Sequence, residues 1–324
     1  DNAMVCLERL LIFTAVSLKK FRNLPYLVVL NPAISESYNM YLKSMSLLLT
    51  ATANLPTNLQ ENKEFTDRFI NQFLELHVDS LPSLSKGFNE VSHLLPENKV
   101  KSFLNHHLQE RIIMRLMAHQ HSQLSETLCN PEKFVPGSKY NGTVQPLDIT
   151  SVVKKSADLV NHIFFLKYDQ TIPITIECDS DVVFPYVEYH LDYILSELFK
   201  NSFRSHVENR IKEPVHITIV NTGKTLQMRI RDHGHGIPEK VMKYIFDYSF
   251  TTFDDDEGDS YKTLNAPPGE AANVVAGMGY GLPLLQNYVQ CFNNTTTTQD
   301  VPKGLLSLQT YPGLGTDIYL KLAI

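Results

Sequence analysis

The sequence predicts two domains: an all-α four-helix bundle over residues 1–140 and an α+β sandwich with a mixed sheet over residues 141–324. Three observations predict it. Apolar residues recur at three- and four-residue steps through roughly the first 128 positions. A stretch rich in Pro and Gly follows, from Asn130 to Pro146, with Pro131, Pro136, Gly137 and Gly142 inside it. Beyond it, period-two alternation and helical periodicity mix, the pattern of a sheet covered by helices.

The helices are read from their stripes. Leu7, Leu10, Leu11, Thr14 and Leu18 form the first, and Tyr38, Tyr41, Leu42, Met45, Leu48 and Leu49 the second. Phe65, Phe69, Phe73 and Leu76 form the third, and Phe103, Ile112, Ile113, Leu116 and Met117 the fourth. Breaks fall at Pro25 to Pro32, near Pro56, and at Pro82 and Pro96, so short connections join long helices, as in an up-and-down bundle. In the second domain strands are expected at Ile172 to Cys178, Val215 to Val220, Leu226 to Arg231, Leu305 to Thr310 and Thr316 to Leu322, with a helix near His190 to Arg210. The acidic, Gly- and Pro-bearing stretch from Asp254 to Asn273 reads as a lid, within residues 250–280.

Composition narrows the function. The chain of 324 residues is 43% hydrophobic and 20% charged, an ordinary globular profile. A formal net charge of −6, with no basic stripe interleaved with aromatics, gives no support to nucleic-acid binding. No apolar run is long enough to span a membrane. Cys6, Cys129, Cys178 and Cys291 lack metal-ligand spacing and read as reduced structural thiols. His106, His107, His119 and His121 cluster on helical sequence without a zinc motif, so packing is the favoured reading. No targeting segment is visible, and the start at Asp1 is read as a presequence removed or left out.

Four segments carry chemistry, in fixed order and within about 120 residues: Glu197-Leu198-Phe199-Lys200-Asn201, Asp232-His233-Gly234-His235-Gly236, Gly277-Met278-Gly279-Tyr280-Gly281 and Gly315-Thr316-Asp317. Each alone arises by chance in many loops; the set does not. On the first, a helix puts Glu197, Asn201, Arg204 and Glu208 on one polar stripe. A solvated helix face carries such a stripe too, but this one aims a carboxylate, an amide and a guanidinium at one point. An Asn oxygen suits Mg²⁺, Glu can deprotonate a nucleophile, and Arg can neutralise phosphate charge. In the second segment, Asp232 closes a strand where a carboxylate can accept from an adenine amino group, and Gly234 and Gly236 let the backbone approach a flat base. In the third, Gly277, Gly279 and Gly281 feed a helix beginning at Leu282 and Pro283, a phosphate cradle that fits neither a Rossmann fingerprint nor a P-loop. In the fourth, Thr316 offers a hydroxyl before a final alternating strand.

Together the segments resemble the N, G1, G2 and G3 boxes of the GHKL superfamily, which includes the gyrase, ninety-kilodalton chaperone, MutL and histidine-kinase ATP sites. With the bundle in front of them, the whole chain resembles the mitochondrial α-ketoacid dehydrogenase kinases. His190-Leu191-Asp192-Tyr193-Ile194-Leu195 looks like the branched-chain member. Leu24-Pro25-Tyr26, Asn31-Pro32, Tyr41-Leu42-Lys43-Ser44 and Pro268-Gly269-Glu270 look more like fungal pyruvate dehydrogenase kinases, and they span both domains.

The resemblance implies a GHKL-type ATP domain and a serine protein kinase that inactivates the pyruvate dehydrogenase complex through its catalytic α subunit. It implies ATP and Mg²⁺, with K⁺ as a further cation. Glu197 would be the general base and Asn201 the metal ligand. Asp232 would bind adenine, with Gly234, Gly236 and Thr316 beside it. Arg204, Thr251, Thr252, Gly277, Gly279, Tyr280, Gly281 and Leu282 would complete the nucleotide site. It also implies a bundle that docks the lipoyl domain, a homodimer, and the mitochondrial matrix as location. Two departures stand out: Tyr193 where many pyruvate-type members carry His, and Asn293-Asn294 in place of a double glycine. The alternatives are the branched-chain complex as substrate, a sensor histidine kinase, and a non-catalytic ATP-gated GHKL protein. His107-Leu108-Gln109-Glu110-Arg111 lacks the acid next to the His that a histidine kinase needs, and no middle domain follows the ATP domain.

Overall fold

A computed structural model of the chain describes residues 1–77, 84, 87–130, 132–178, 182–248, 281–293 and 303–323. The described residues form two compact units, divided between Gln145 and Pro146.

In the first unit, α1 (Asn2–Arg22) is followed by the short α2 (Tyr26–Val29) and by α3 (Pro32–Thr52). Next, α4 (Leu59–Phe65) runs through a π-helical turn (Thr66–Asn71) into α5 (Gln72–Leu76), and the long α6 (Glu97–Cys129) closes the unit. Sequence chemistry sets the boundaries. Asn31 Oδ1 accepts from the backbone N–H groups of Ala33 and Ile34 at 3.0 and 3.4 Å, and Pro32 occupies the first turn of α3. Pro96 stands as the N-cap of α6.

Each of the four long rods packs on two others, α1 and the 59–76 rod both touching α3 and α6. α1 and α6 are antiparallel: Asn2 meets His121, Cys6 meets the Met117 carbonyl, and Ser17 meets Glu110. The expected up-and-down bundle is therefore present.

Its α3 stripe is shifted from the expected one. Ile34, Ser37, Tyr41, Ser44, Leu48 and Ala51 are buried, while Leu42 and Leu49 are 42% and 55% exposed. Two serines lie on the inner face because their hydroxyls are satisfied. Ser37 Oγ donates to the Ala33 carbonyl at 3.3 Å and Ser44 Oγ to the Met40 carbonyl at 3.0 Å, one turn back in each case. Two of the clustered histidines, His107 and His121, are buried and serve packing, while His106 is exposed. His107 stacks on Phe103 at 5.8 Å, and His121 is 3.1 Å from Thr66 Oγ1.

The second unit holds a five-stranded sheet of order β2-β4-β5-β7-β6. Its strands are β2 (Ile174–Cys178), β4 (Val215–Asn221), β5 (Leu226–Arg231), β6 (Leu305–Tyr311) and β7 (Gly315–Leu322). β2 pairs parallel with β4, and the other neighbours are antiparallel, so the sheet is mixed as expected. β1 (Val144–Asp148) and β3 (Val183–Val187) make a separate two-stranded ribbon. The helices are α7 (Ile149–Tyr168), α8 (Glu188–Asn209), the short α9 (Glu239–Met242) and α10 (Gly281–Gln290).

The core lies between the sheet and these helices. Ile217, Ile219, Met228, Ile230, Ile318 and Leu320 point inward from the strands. Leu191, Leu195, Leu198, Phe199 and Phe203 of α8 belong to the same cluster, and Phe199 stacks on Phe203 at 5.5 Å. Burying that stripe fixes the rotation of α8, which leaves its polar stripe facing outward.

Four elements of the second unit are absent from the sequence expectation: β1, α7, β3 and the short α9. α7 buries Val152, Val153, Ser156, Ala157, Val160, Ile163 and Phe164, a clear helical period that begins directly after the Pro-rich stretch. β3 contains Pro185, which argues against a strand and is tolerated here because the ribbon is only two strands wide. The expected lid, with Thr251, Thr252, Gly277, Gly279 and Tyr280, lies outside the described residues.

Candidate nucleotide site

Three of the four segments, and the last residue of the remaining one, are placed by the sheet and α8. Asp232 directly follows β5, and its backbone N–H donates to the Thr316 carbonyl of β7 at 3.0 Å. The side chain is buried, 5% exposed. Oδ1 accepts from the Gly234 N–H at 2.9 Å and the Thr316 N–H at 3.2 Å. That oxygen is committed to the protein; Oδ2 has no protein partner among the described residues and is available to a ligand amino group. Burial pushes the Asp232 carboxyl up to about 6, against the pull of the two backbone N–H groups.

The glycines around Asp232 are required by close approach. A Cβ on Gly315 (φ +116°) would stand 2.1 Å from the Asp232 carbonyl oxygen, and one on Gly236 (φ +72°) 2.6 Å from the Tyr311 carbonyl oxygen. Thr310 Oγ1 accepts from the Ile237 N–H at 2.7 Å and lies 3.2 Å from Thr316 Oγ1, tying the glycine turn to the end of the sheet. Asp317 points elsewhere. It takes a two-pronged ion pair from Arg231, Nε to Oδ1 at 2.6 Å and Nη2 to Oδ2 at 2.5 Å, which locks the β5–β7 register beside the site. Arg231 holds the Asp317 carboxyl below its usual range.

On α8, Glu197 is flanked on two sides. Oε1 pairs with Lys200, one turn on, with both side chains largely buried. Oε2 would lie 2.7 Å from a Cβ on Gly281, so the last glycine of the third segment abuts the carboxylate of the first. Asn201 is exposed on the outer stripe. Arg204 pairs with Glu208 through Nε at 2.7 Å. Leu282 is the second residue of α10, half-buried, and Pro283, Leu284 and Leu285 are buried and anchor that helix.

Tyr193 and Asn293 acquire a structural account, while Asn294 lies outside the described residues. Tyr193 packs its ring on Tyr288 at 4.7 Å. Its hydroxyl has no hydrogen-bond partner among the described residues, and burial first, the Glu197 charge second, hold it protonated. It therefore offers Glu197 no second titrating group near neutral pH. Asn293 clamps Gly304: Oδ1 accepts from its N–H at 2.7 Å, and Nδ2 donates to its carbonyl at 2.9 Å. A glycine there could not make that clamp. Lys200, Ser205 and His206 were given no role by the sequence reading. Lys200 was legible three residues after Glu197; His206 meets the second segment only through the fold, 27 residues away in sequence.

Residues 1–145 match the family described as mitochondrial branched-chain alpha-ketoacid dehydrogenase kinase. Residues 186–324 match the histidine kinase-, DNA gyrase B- and HSP90-like ATPase family. Pyruvate dehydrogenase (acetyl-transferring) kinase 1, mitochondrial, of Saccharomyces cerevisiae is 33% identical over 318 residues, covering 97% of this chain and 76% of that protein. The chain belongs to the mitochondrial α-ketoacid dehydrogenase kinase family. Members from further afield agree: the rat mitochondrial kinase isozyme 1 is 26% identical over 94% of this chain and 69% of its own length. The Arabidopsis thaliana mitochondrial kinase is 25% identical over 94% of this chain and 79% of its own length. Membership makes the chain an ATP-dependent protein kinase.

A pH dependence follows from Asp232. A carboxylate accepts more strongly than a neutral carboxyl, so with an adenine amino group on Asp232 the ATP affinity is expected to fall as pH drops through about 6. For the fold the sign is opposite: a carboxyl raised above its unfolded value contributes stability at low pH, and that contribution is lost as pH rises through about 6. Titration calorimetry with ATP between pH 5.5 and 8, on wild type and Asp232→Asn, isolates the first effect. The extra loss below about 6 is expected in wild type alone. Parallel pH curves for the two proteins would remove Asp232 as the recognising group.

Proposed function

We propose that the protein phosphorylates serine on the catalytic α subunit of pyruvate dehydrogenase and thereby switches that complex off, within the mitochondrial matrix. The observation that carries the substrate is the yeast pyruvate dehydrogenase kinase relative, 33% identical across 97% of this chain, bundle and ATP domain alike.

The site's residues fit ATP held by Mg²⁺. Asp232 Oδ1 is held by two backbone N–H groups, and Oδ2 has no protein partner among the described residues, which suits an acceptor for the base. In this reading Asn201 holds Mg²⁺, and K⁺ is a second cation of the site. When bound, ATP supplies the transferable phosphoryl group and the metal neutralises its charge. The chain's own residues do the rest. Asp232 and Thr316 fix the base. Arg204 and the 277–281 glycines hold the phosphates. Glu197 takes the proton from the serine hydroxyl as its oxygen bonds to phosphorus and the bond to the ADP oxygen breaks. Lys200 holds the Glu197 carboxylate in place beforehand. The bundle docks the lipoyl-bearing domain of the complex, which brings the kinase to its substrate, and the enzyme works as a homodimer.

A second reading, the branched-chain complex as substrate, is favoured by the family description that residues 1–145 match. Specificity is a difference of affinities over the whole contact, so the two readings are separated by rate. Purified pyruvate and branched-chain dehydrogenase complexes at equal concentration, labelled side by side, are expected to show faster labelling of the pyruvate complex. The reverse order would move the substrate to the branched-chain complex and leave the kinase activity standing.

A further inference from the structure

The turn that carries Asp232 is held from behind by α8. His206, on that helix, is 1% exposed. Its Nε2 lies 3.1 Å from the backbone nitrogen of His233. A backbone N–H only donates, so Nε2 accepts, and the ring is the neutral tautomer with its proton on Nδ1. Burial pushes the His206 imidazole down to about 4, with the nearby His233 ring adding to the effect, which keeps the acceptor lone pair in place.

One residue earlier, Ser205 meets the same turn. A Cβ on Gly234 would lie 1.8 Å from Ser205 Oγ, so the loop backbone rests directly on the helix. The connection to the carboxylate is then one residue long. His206 fixes the His233 N–H, and the next N–H, that of Gly234, donates to Asp232 Oδ1 at 2.9 Å. Neither His206 nor His233 needs to touch a nucleotide for this to matter. Losing the acceptor leaves the His233 N–H unpaired against the helix, and the turn must shift to satisfy it.

We propose that His206 is a positioning residue for base recognition: by accepting from the His233 N–H it sets the 232–234 turn, so that Asp232 spends one oxygen on the backbone and presents the other to the amino group of a purine. This rests on the ATP-site reading given above.

The test compares ATP with ITP, in which that amino group is replaced by a carbonyl oxygen, by equilibrium binding to the full chain. Wild type is expected to prefer ATP. His206→Leu removes the acceptor and is expected to weaken ATP about tenfold while leaving ITP unchanged. His206→Gln supplies an amide oxygen as acceptor and is expected to restore the wild-type ratio. A leucine variant that keeps that ratio, or a glutamine variant no better than leucine, overturns the proposal. Should the leucine variant not fold, ¹⁵N NMR of the wild-type ring decides. An unprotonated Nε2 that responds to ATP but not to ITP supports the assignment, and a protonated Nε2 overturns it. If wild type shows no preference for ATP over ITP, the ATP-site reading itself fails and takes this proposal with it.

Discussion

Glu197→Gln is expected to lower the rate of phosphoryl transfer to the protein substrate by about 10²–10⁴-fold while ATP still binds. The substitution keeps the size of the side chain and its ability to accept from Lys200, so the local structure persists. The neighbours Leu198 and Phe199 are fully buried and hold the helix as before. What disappears is the capacity to take the serine proton. Steady-state turnover with saturating ATP, paired with an ATP titration, separates the two effects. Turnover near wild type would assign the base elsewhere; lost ATP binding would make Glu197 a binding residue.

The second large effect is expected at Asn201. Asn201→Ala should abolish binding of Mg-ATP with the fold intact. Mg²⁺ takes few protein ligands, so deleting one amide oxygen removes a large share of what the chain contributes. Stability is expected to change little, because Asn201 is exposed on a helix where alanine is the better helix former. Calorimetry in the presence of Mg²⁺, with circular dichroism as the control on folding, reads both. Unchanged Mg-ATP affinity would withdraw the metal assignment.

Most of this was legible in the sequence because the signals were local. The period of Leu191, Ile194, Leu195, Leu198 and Phe199 placed a helix and left Glu197 and Asn201 on its outer stripe, as observed. Alternation in Leu226 to Arg231 placed a strand that Asp232 directly follows. Where the pattern failed, tertiary context had replaced hydrophobicity. Ser37 and Ser44 took core positions on α3 by bonding back to their own helix, which left Leu42 and Leu49 outside. Pro185 hid a strand. The contacts that finish the site join residues far apart in sequence: Arg231 with Asp317, His206 with His233, and Gly281 with Glu197. Periodicity carries no information on such pairs; they exist only once the sheet register and the packing of α8 and α10 are set.

The central claim is that these residues transfer phosphate to a protein serine. It is tested most directly by incubating the full chain with γ-labelled ATP, Mg²⁺ and the pyruvate dehydrogenase complex, and then determining the chemistry of the labelled product. The account predicts label on the catalytic α subunit that survives acid, with phosphoserine after hydrolysis and loss of complex activity in step with incorporation. Acid-labile label on the chain itself, with none on the complex, would contradict it and point to histidine phosphorylation.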